Sequence, residues 1–78
     1  MATVVLYARP GCHLCDDARV VIEEARAEVA FVFQEVDIES DDALVRDYCL
    51  RIPVVAIDGD ELFEISVDRT SLRGALRG

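Results

Sequence analysis

The sequence contains no tryptophan and no lysine, and none of its apolar runs approaches the roughly 20 residues that a membrane-spanning helix needs. We therefore predict no membrane span. All eight basic residues are arginine, and sixteen acidic residues outnumber them, giving a net charge of -8. An acidic surface repels polyanions, so nucleic acids and anionic membrane surfaces are excluded as partners. Neutral or basic partners are expected.

Cysteine is also scarce, and its number, three, is odd. The start Met-Ala-Thr-Val is not a basic segment followed by an apolar core, so no secretory signal is expected and the predicted location is cytoplasmic. In that compartment a closely spaced cysteine pair indicates redox chemistry or metal binding rather than a structural disulfide. The 78 residues show no repeat or linker, which predicts one small domain over residues 1–78 and a monomer.

Two of the cysteines, Cys12 and Cys15, stand where a β-prone run gives way to a helical pattern. Residues 3–8 are apolar and rich in β-branched side chains, and a Pro-Gly pair then supplies a turn. Apolar residues recur at helical spacing after it, at Leu14, Ala18, Val21, Ile22, Ala25 and Val29. We predict a helix over residues 12–28. The unpaired N–H groups and partial positive charge of a helix N-terminus favour a thiolate there, so the pair is interpreted as a dithiol redox site.

The rest of the chain predicts an edge strand, a short helix, a hairpin and a last helix. The edge strand covers residues 30–38, with Val32, Val36 and Ile38 on its inward face. Ser40 is the expected N-cap of the short helix, which ends near residue 50. The hairpin strands are residues 54–57 and 61–67, joined by a type I′ turn, and the last helix follows residue 68.

The resulting order is β-α-β-α-β-β-α. A right-handed crossover through the first helix makes the first two strands parallel, and the hairpin completes a four-stranded mixed sheet with helices on both faces. With Cys12 and Cys15 after the first strand, Arg51-Ile52-Pro53-Val54 before the hairpin and Asp58-Gly59 at its turn, the chain resembles the glutaredoxin-like families of the thioredoxin-like fold. The resemblance implies an α/β thiol-disulfide oxidoreductase. It also implies a cis Ile52-Pro53 peptide facing the dithiol, with the main chain of Ile52 offered to the substrate.

Spacing and charge give roles to the residues around the cysteines. Residues i and i+3 share a helix face, so Cys12 at the mouth is the expected nucleophile and Cys15, one turn in, is the expected resolving thiol. Arg9 matches a glutaredoxin position usually held by lysine and is expected to favour the thiolate of the nucleophile. His13 lies beside the nucleophile, where it is either a residue that favours the thiolate when charged or a plain exposed residue. Two carboxylates that directly follow Cys15, at positions 16 and 17, oppose that effect.

The substrate is left open by two departures from the family pattern. Glutaredoxins that bind glutathione carry Gly-Gly and an acidic residue before the last helix, whereas this chain has Ile65-Ser66-Val67-Asp68. Asp68 and the N–H groups of that helix remain the expected site for a γ-glutamyl group. An aromatic residue between the cysteines is also missing. Protein disulfides or glutathione are the expected substrates, with glutathione as co-substrate or thioredoxin reductase as partner, and neither a bound cofactor nor a metal is expected.

Two other functions use the same cysteines. Small metallochaperones of this length carry Cys-x-x-Cys after the first strand, and two thiolates suit a soft ion such as Cu(I), but their order is β-α-β-β-α-β. An iron-sulfur-binding glutaredoxin relative would use Cys12 as a ligand. The third cysteine, Cys49, is interpreted as a small buried hydrophobic residue, with a regulatory thiol as the alternative.

Overall fold

The computed structural model describes residues 2–77, which form four strands and three helices in the predicted order. In chain order the elements are β1 (Ala2–Ala8), α1 (His13–Arg26), β2 (Phe31–Asp37), a 3-10 turn (Ile38–Ser40), α2 (Asp42–Tyr48), β3 (Val54–Ile57), β4 (Asp60–Glu64) and α3 (Arg69–Arg77). The sheet order is β2-β1-β3-β4, with β1 and β2 parallel and the other two pairs antiparallel. The predicted four-stranded mixed sheet is confirmed.

Strand β1 lies in the middle of the sheet, and its alternating side chains serve both faces. Val4, Leu6 and Ala8 are buried in the main core cluster, to which α1 and α3 also contribute. On the opposite face Tyr7 stacks on Tyr48 of α2. Helices therefore cover both faces, as predicted, and the carboxyl end of β1 leads directly into the cysteine pair.

Helix α1 is shorter than predicted, because it begins at His13 and Cys12 is its N-cap. The buried stripe of the helix runs through Cys15, Ala18, Ile22 and Ala25. Leu14 was expected in that stripe, but 46% of it is exposed. At about 100° per residue, position 14 falls at the margin of the stripe formed by residues 15, 18, 22 and 25, and it lies in the first turn of the helix, where its side chain is left half exposed. A cysteine, not a leucine, thus forms the first layer of core packing in this helix.

Strand β2 is an edge strand, as predicted, but its inward face was predicted wrongly. Phe31 is buried and Phe33 packs against the core, whereas 44% of Val32 is exposed. Because three consecutive residues at the start of the strand are apolar, alternation alone does not identify the inward face. Ile38, also expected on this strand, is fully buried in the 3-10 turn that follows.

The same 3-10 turn moves the start of α2 by one residue. Asp41, not Ser40, is the N-cap, and its carboxylate accepts the N–H of Ala43 at 2.8 Å. The Ser40 hydroxyl instead donates to the main-chain oxygen of Asp37 at 2.7 Å, within the turn. The helix ends at Tyr48, two residues earlier than predicted.

The hairpin turn is confirmed, since Asp58 and Gly59 have φ values of 52° and 90°, both positive as a type I′ turn requires. Strand β4 ends at Glu64, well before the predicted residue 67. Ile65 follows with φ of 68°, which turns the chain away from the sheet. Asp68 caps α3 as predicted, because its carboxylate accepts the N–H of Ser71 at 2.9 Å. Among residues 2–77 no helix is both long and apolar enough to cross a membrane.

Candidate dithiol active site

Cys12 lies at the N-terminus of α1, in the extended conformation of a helix N-cap. Its Sγ accepts the main-chain N–H of Cys15 at 3.2 Å, and its side chain is partly exposed. An N–H group directed at sulfur and the positive end of the helix dipole both stabilise negative charge on that atom. The sequence-predicted nucleophile is therefore a partly exposed sulfur at the start of α1 that accepts a main-chain hydrogen bond.

Cys15 is fully buried one helical turn behind, within the main core cluster. Burial raises the pKa of its thiol to about 11, and the interaction with Cys12 acts in the same direction. The main-chain N–H of Arg9 and the charge of Arg19 act in the opposite direction, but they are weaker. The contrast in exposure expected from the spacing is therefore present, with an accessible first sulfur and a shielded second one.

The raised pKa of Cys15 makes the stability of the reduced protein depend on alkaline pH. Between pH 9 and about 11 the folded chain keeps this proton while the unfolded chain has lost it, so rising pH favours unfolding. We expect the free energy of unfolding to fall by about 2 kcal/mol across that window, since each pKa unit corresponds to about 1.4 kcal/mol. Urea titrations of the reduced wild type and of Cys15→Ala at several pH values measure it. A pH slope equal in both proteins would contradict the assignment.

Arg19, to which no sequence motif pointed, joins α1 to β2 beside the cysteines. Its Nε and Nη2 atoms donate to the two carboxylate oxygens of Glu35, each at 2.7 Å, and its Nη1 atom donates to Asp16 at 2.8 Å. These hydrogen bonds from Arg19 lower the pKa of Glu35. The Asp16 charge, expected to oppose the thiolate, is thus partnered by a cation. The spacing of Asp16 and Arg19 is visible in the sequence, but the Glu35 partner is not.

Arg9 and His13, the two expected cations, are placed differently from one another. The Arg9 guanidinium forms an ion pair with Glu39 at 2.6 Å, and the two side chains are 40% and 44% exposed. The charge of Arg9 is therefore already paired with a carboxylate. Its main-chain N–H, in contrast, acts to lower the pKa of Cys15. His13 is exposed at the first position of α1. The tuning role predicted for His13 stays a prediction.

The Ile52-Pro53 peptide bond is cis, which confirms what the resemblance implied. Pro53 is fully buried at the head of β3, and the register pairs Val54 with Tyr7, so Pro53 lies beside the end of β1 that leads to Cys12. The N–H of Ile52 donates to the main-chain oxygen of Tyr48 at 3.0 Å. That donor is already used, which leaves the carbonyl group of Ile52 as its main-chain contribution to the site.

A polar cluster that the sequence did not reveal holds the segment before Pro53. The rings of Tyr7 and Tyr48 stack with centroids 4.5 Å apart, and the Arg51 guanidinium lies 5.1 Å from the Tyr48 centroid. Arg51 also donates to Glu61 at 2.7 Å and to Glu64 at 2.9 Å. The hydroxyl of Tyr48 donates to Glu61, which raises the pKa of Tyr48 to about 12. The Tyr48 ring, Glu61 and Glu64 thereby hold the Arg51 side chain in place.

Two further residues named from the sequence lie at helix ends. Asp68 begins α3, where hydrogen bonds from the main chain and hydroxyl of Ser71 lower the pKa of its carboxyl group. Cys49 is the C-cap of α2 and is partly exposed, so the expectation of a buried hydrophobic residue was wrong. The helix ends one residue before it, which releases its side chain from full packing. Within residues 2–77 no cluster of three or more histidine, cysteine or acidic side chains has metal-binding geometry.

Together, the β-α-β-α-β-β-α order, the cysteine pair at the start of α1 and the cis proline at the head of β3 define a thioredoxin-like fold. Residues 3–77 match the family model described as Glutaredoxin-like domain (DUF836), and the chain belongs to that family. Its topology differs from the β-α-β-β-α-β order of the metallochaperones. A search of curated proteins found no significant match.

Solved structures show the same fold. A structural genomics target protein from X. campestris is 36% identical, with a TM-score of 0.80, and the match covers 95% of each chain. A protein from Nitrosomonas europaea is 26% identical, with a TM-score of 0.82 over 96% of this chain and 91% of that one. A mutant thioredoxin from Halobacterium salinarum has a TM-score of 0.72 at 18% identity, over 97% and 72% of the two chains, and shows similarity of fold alone.

Proposed function

We propose that this chain is a thiol-disulfide oxidoreductase with Cys12 as nucleophile and Cys15 as resolving thiol. The observation that carries the proposal is the contrast between the two sulfurs at one helix end. Cys12 is partly exposed and accepts a main-chain N–H, whereas Cys15 is fully buried one turn behind it. A dithiol enzyme needs this pairing of a reachable sulfur with a shielded one.

The reaction transfers two electrons from the dithiol to a substrate disulfide. The Cys12 thiolate attacks one substrate sulfur, forming a mixed disulfide, and the other substrate sulfur leaves as a thiolate that takes up a proton from water. Cys15 then loses its proton and attacks the Cys12 sulfur, which releases the second substrate thiol and forms the Cys12–Cys15 disulfide. The substrate is reduced and the protein oxidised. A thiol reductant, either glutathione as co-substrate or a dithiol reductase, returns the two electrons, and no bound cofactor takes part.

The neighbouring residues support this chemistry in ways that follow from their contacts. The Ile52 carbonyl, next to the buried Pro53, is the main-chain acceptor offered to an extended substrate chain, and Asp68 with the N–H groups of α3 is a further polar contact for it. Arg9 supplies its main-chain N–H to Cys15, which helps that thiol to ionise when it resolves the mixed disulfide. His13, exposed beside Cys12 at the first position of α1, is the proposed tuning residue of the first step. Free thiols of this kind suit a reducing, cytoplasmic compartment.

The proposal is tested by counting thiols during oxidation. Treating the reduced full chain with hydroxyethyl disulfide, a small neutral disulfide, is expected to remove two of its three free thiols and to leave Cys49 reactive. Peptide mapping by mass spectrometry should then find one bridge, between Cys12 and Cys15, that dithiothreitol reverses. A chain that keeps all three thiols, or that bridges through Cys49, would overturn the proposed function.

A further inference from the structure

We propose that the substrate of this site is a polypeptide disulfide flanked by cationic and apolar side chains, and that glutathione mixed disulfides react poorly. This inference deepens the proposed function and rests on it. Glutathione carries two carboxylates and one ammonium group, so cationic contacts near the attacking sulfur would favour its binding. An extended polypeptide needs main-chain pairing and apolar contacts instead.

The arginines on the segments that form the site are already engaged. Arg9 pairs with Glu39, Arg19 donates to Glu35 through Nε and Nη2 and to Asp16 through Nη1, and Arg51 lies between two carboxylates of β4 and the Tyr48 ring. A glutathione carboxylate would have to displace one of these internal partners. The described residues at the site thus offer an anion no arginine without a carboxylate partner, which disfavours glutathione on the ground of charge.

Apolar side chains are exposed on the same segments. Leu14, between the two cysteines, is 46% exposed, and Leu50, two residues before Ile52, is 90% exposed. Ile65 is 50% exposed, and its N–H donates to the main-chain oxygens of Arg51 at 3.1 Å and Pro53 at 2.8 Å. The cysteine turn, the segment before the cis proline and the end of β4 therefore each present an apolar residue to solvent. We call these three residues the apolar rim.

Ile65 of the apolar rim adopts a strained backbone conformation. Its φ of 68° lies in the left-handed region, which a β-branched side chain rarely adopts. The carbonyl groups of Arg51 and Pro53 accept the Ile65 N–H and fix that conformation. Because the Ile65 side chain is half exposed, its packing does not offset the strain. Outliers of this kind concentrate at binding and catalytic sites. The strained backbone here keeps an apolar contact beside Pro53.

The charge beside the cysteine turn favours a basic partner. A cavity of about 130 Å³ adjoins the cysteine turn, and its lining holds three carboxylates, Asp16, Glu35 and Asp37, against two arginines, which leaves one negative charge in excess. Arg19 pairs with two of these carboxylates, whereas Arg9 pairs with Glu39, outside the lining. The whole chain carries -8. Such a surface attracts lysine and arginine side chains and repels anions, and the attraction weakens with salt. Polypeptides with basic and apolar residues beside the disulfide match both features.

Single-turnover oxidation of the reduced full chain tests the inference without a reductase. Three peptides are compared: one with an internal disulfide flanked by lysine and leucine, a matched peptide with glutamate for lysine, and a single-cysteine lysine peptide carrying glutathione. Acid quenching, alkylation and mass spectrometry report the rate. We expect the lysine disulfide peptide to react about tenfold faster than either of the others at low salt, with the effect of flanking charge falling to about twofold in 0.5 M NaCl.

Variants of the rim separate contact from charge. Leu14→Ser and Ile65→Asn remove apolar side chains, and asparagine tolerates the left-handed conformation, so the second variant keeps the local backbone. Each is expected to lower the ratio of the lysine-peptide rate to the hydroxyethyl disulfide rate by about threefold or more. Val20→Ser is the matched control, because Val20 is 52% exposed on the same helix outside the rim, and its ratio should equal that of the wild type.

The outcomes separate the substrate assignment from the proposed oxidoreductase function. The substrate assignment is overturned if the glutathione peptide reacts as fast as the lysine disulfide peptide, or if the flanking charge does not change the rate. In either case, oxidation of the cysteine pair by hydroxyethyl disulfide would still support the oxidoreductase assignment. If Val20→Ser lowers the ratio of the two rates as much as the rim variants do, the role assigned to the apolar rim is likewise overturned. If hydroxyethyl disulfide fails to oxidise the cysteine pair, both proposals fall together.

Discussion

Cys12→Ser is expected to lower the rate of disulfide reduction by about a thousandfold or more, and Cys15→Ser to trap the substrate on Cys12. A serine hydroxyl is not ionised near neutral pH and cannot replace the thiolate that attacks sulfur. Without the second thiol, the mixed disulfide formed in the first step has no internal route to release. Mass spectrometry of each variant after mixing with the lysine disulfide peptide should show no adduct on the first and one peptide adduct on the second.

The matched control for these variants is Cys49→Ser, at the C-cap of α2. This cysteine is partly exposed, but it lies outside the main core cluster that contains Cys15, so its loss should leave turnover at the wild-type level. A Cys49→Ser chain that loses turnover, or a Cys12→Ser chain that keeps it, would contradict the roles assigned to the two sulfurs of α1.

Leu72→Ala is expected to produce the largest loss of stability, about 2 to 5 kcal/mol of the free energy of unfolding. Leu72 is fully buried, and it is the one buried residue in α3 as described from Arg69 to Arg77. The methyl groups it contributes belong to the same core cluster as Cys15. Truncation therefore both leaves a cavity and loosens a helix that packs against α1, which carries the second sulfur.

Two measurements check this expectation. Urea unfolding reports the free energy, and iodoacetamide labelling below the midpoint should modify Cys15 faster in the variant, since loss of packing admits the reagent. Arg73→Ala is the control on the same helix. It removes a half-exposed ion pair with Glu28, and such pairs contribute about 1 kcal/mol or less. Equal effects of the two substitutions would show that α3 is not anchored through Leu72.

Much of the site followed from local features of the sequence. The Pro-Gly turn after a β-prone run and the helical period after it placed Cys12 and Cys15 at a helix start. Asp58-Gly59 fixed the hairpin, because its two positive φ values suit few other residue pairs. Because these features depend on only a few neighbouring residues, they can be predicted from the sequence without knowledge of the fold. The cis state of the Ile52-Pro53 peptide came from family resemblance and not from any local rule.

Features that depend on distant partners were predicted poorly. The inward face of β2 was assigned to Val32 because three apolar residues in a row carry no alternation, and contact with the core decided for Phe31. The strand predicted through residue 67 ended at Glu64 because Ile65 bonds to carbonyl groups at Arg51 and Pro53, more than ten residues away. In both places tertiary contacts outweighed local preference.

The sequence by itself determined the order of the elements, the cysteine pair at the start of α1 and the acidic excess, since periodicity, turn residues and charge are local or additive properties. Only the tertiary structure decided which arginines stand near the dithiol and that all of them are ion-paired, because Glu35, Glu39 and Glu61 reach them from other strands and turns. It also decided that Leu14 and Ile65 face solvent beside the site. The cysteine pair was therefore readable from the chain, whereas the proposed kind of substrate depends on the fold.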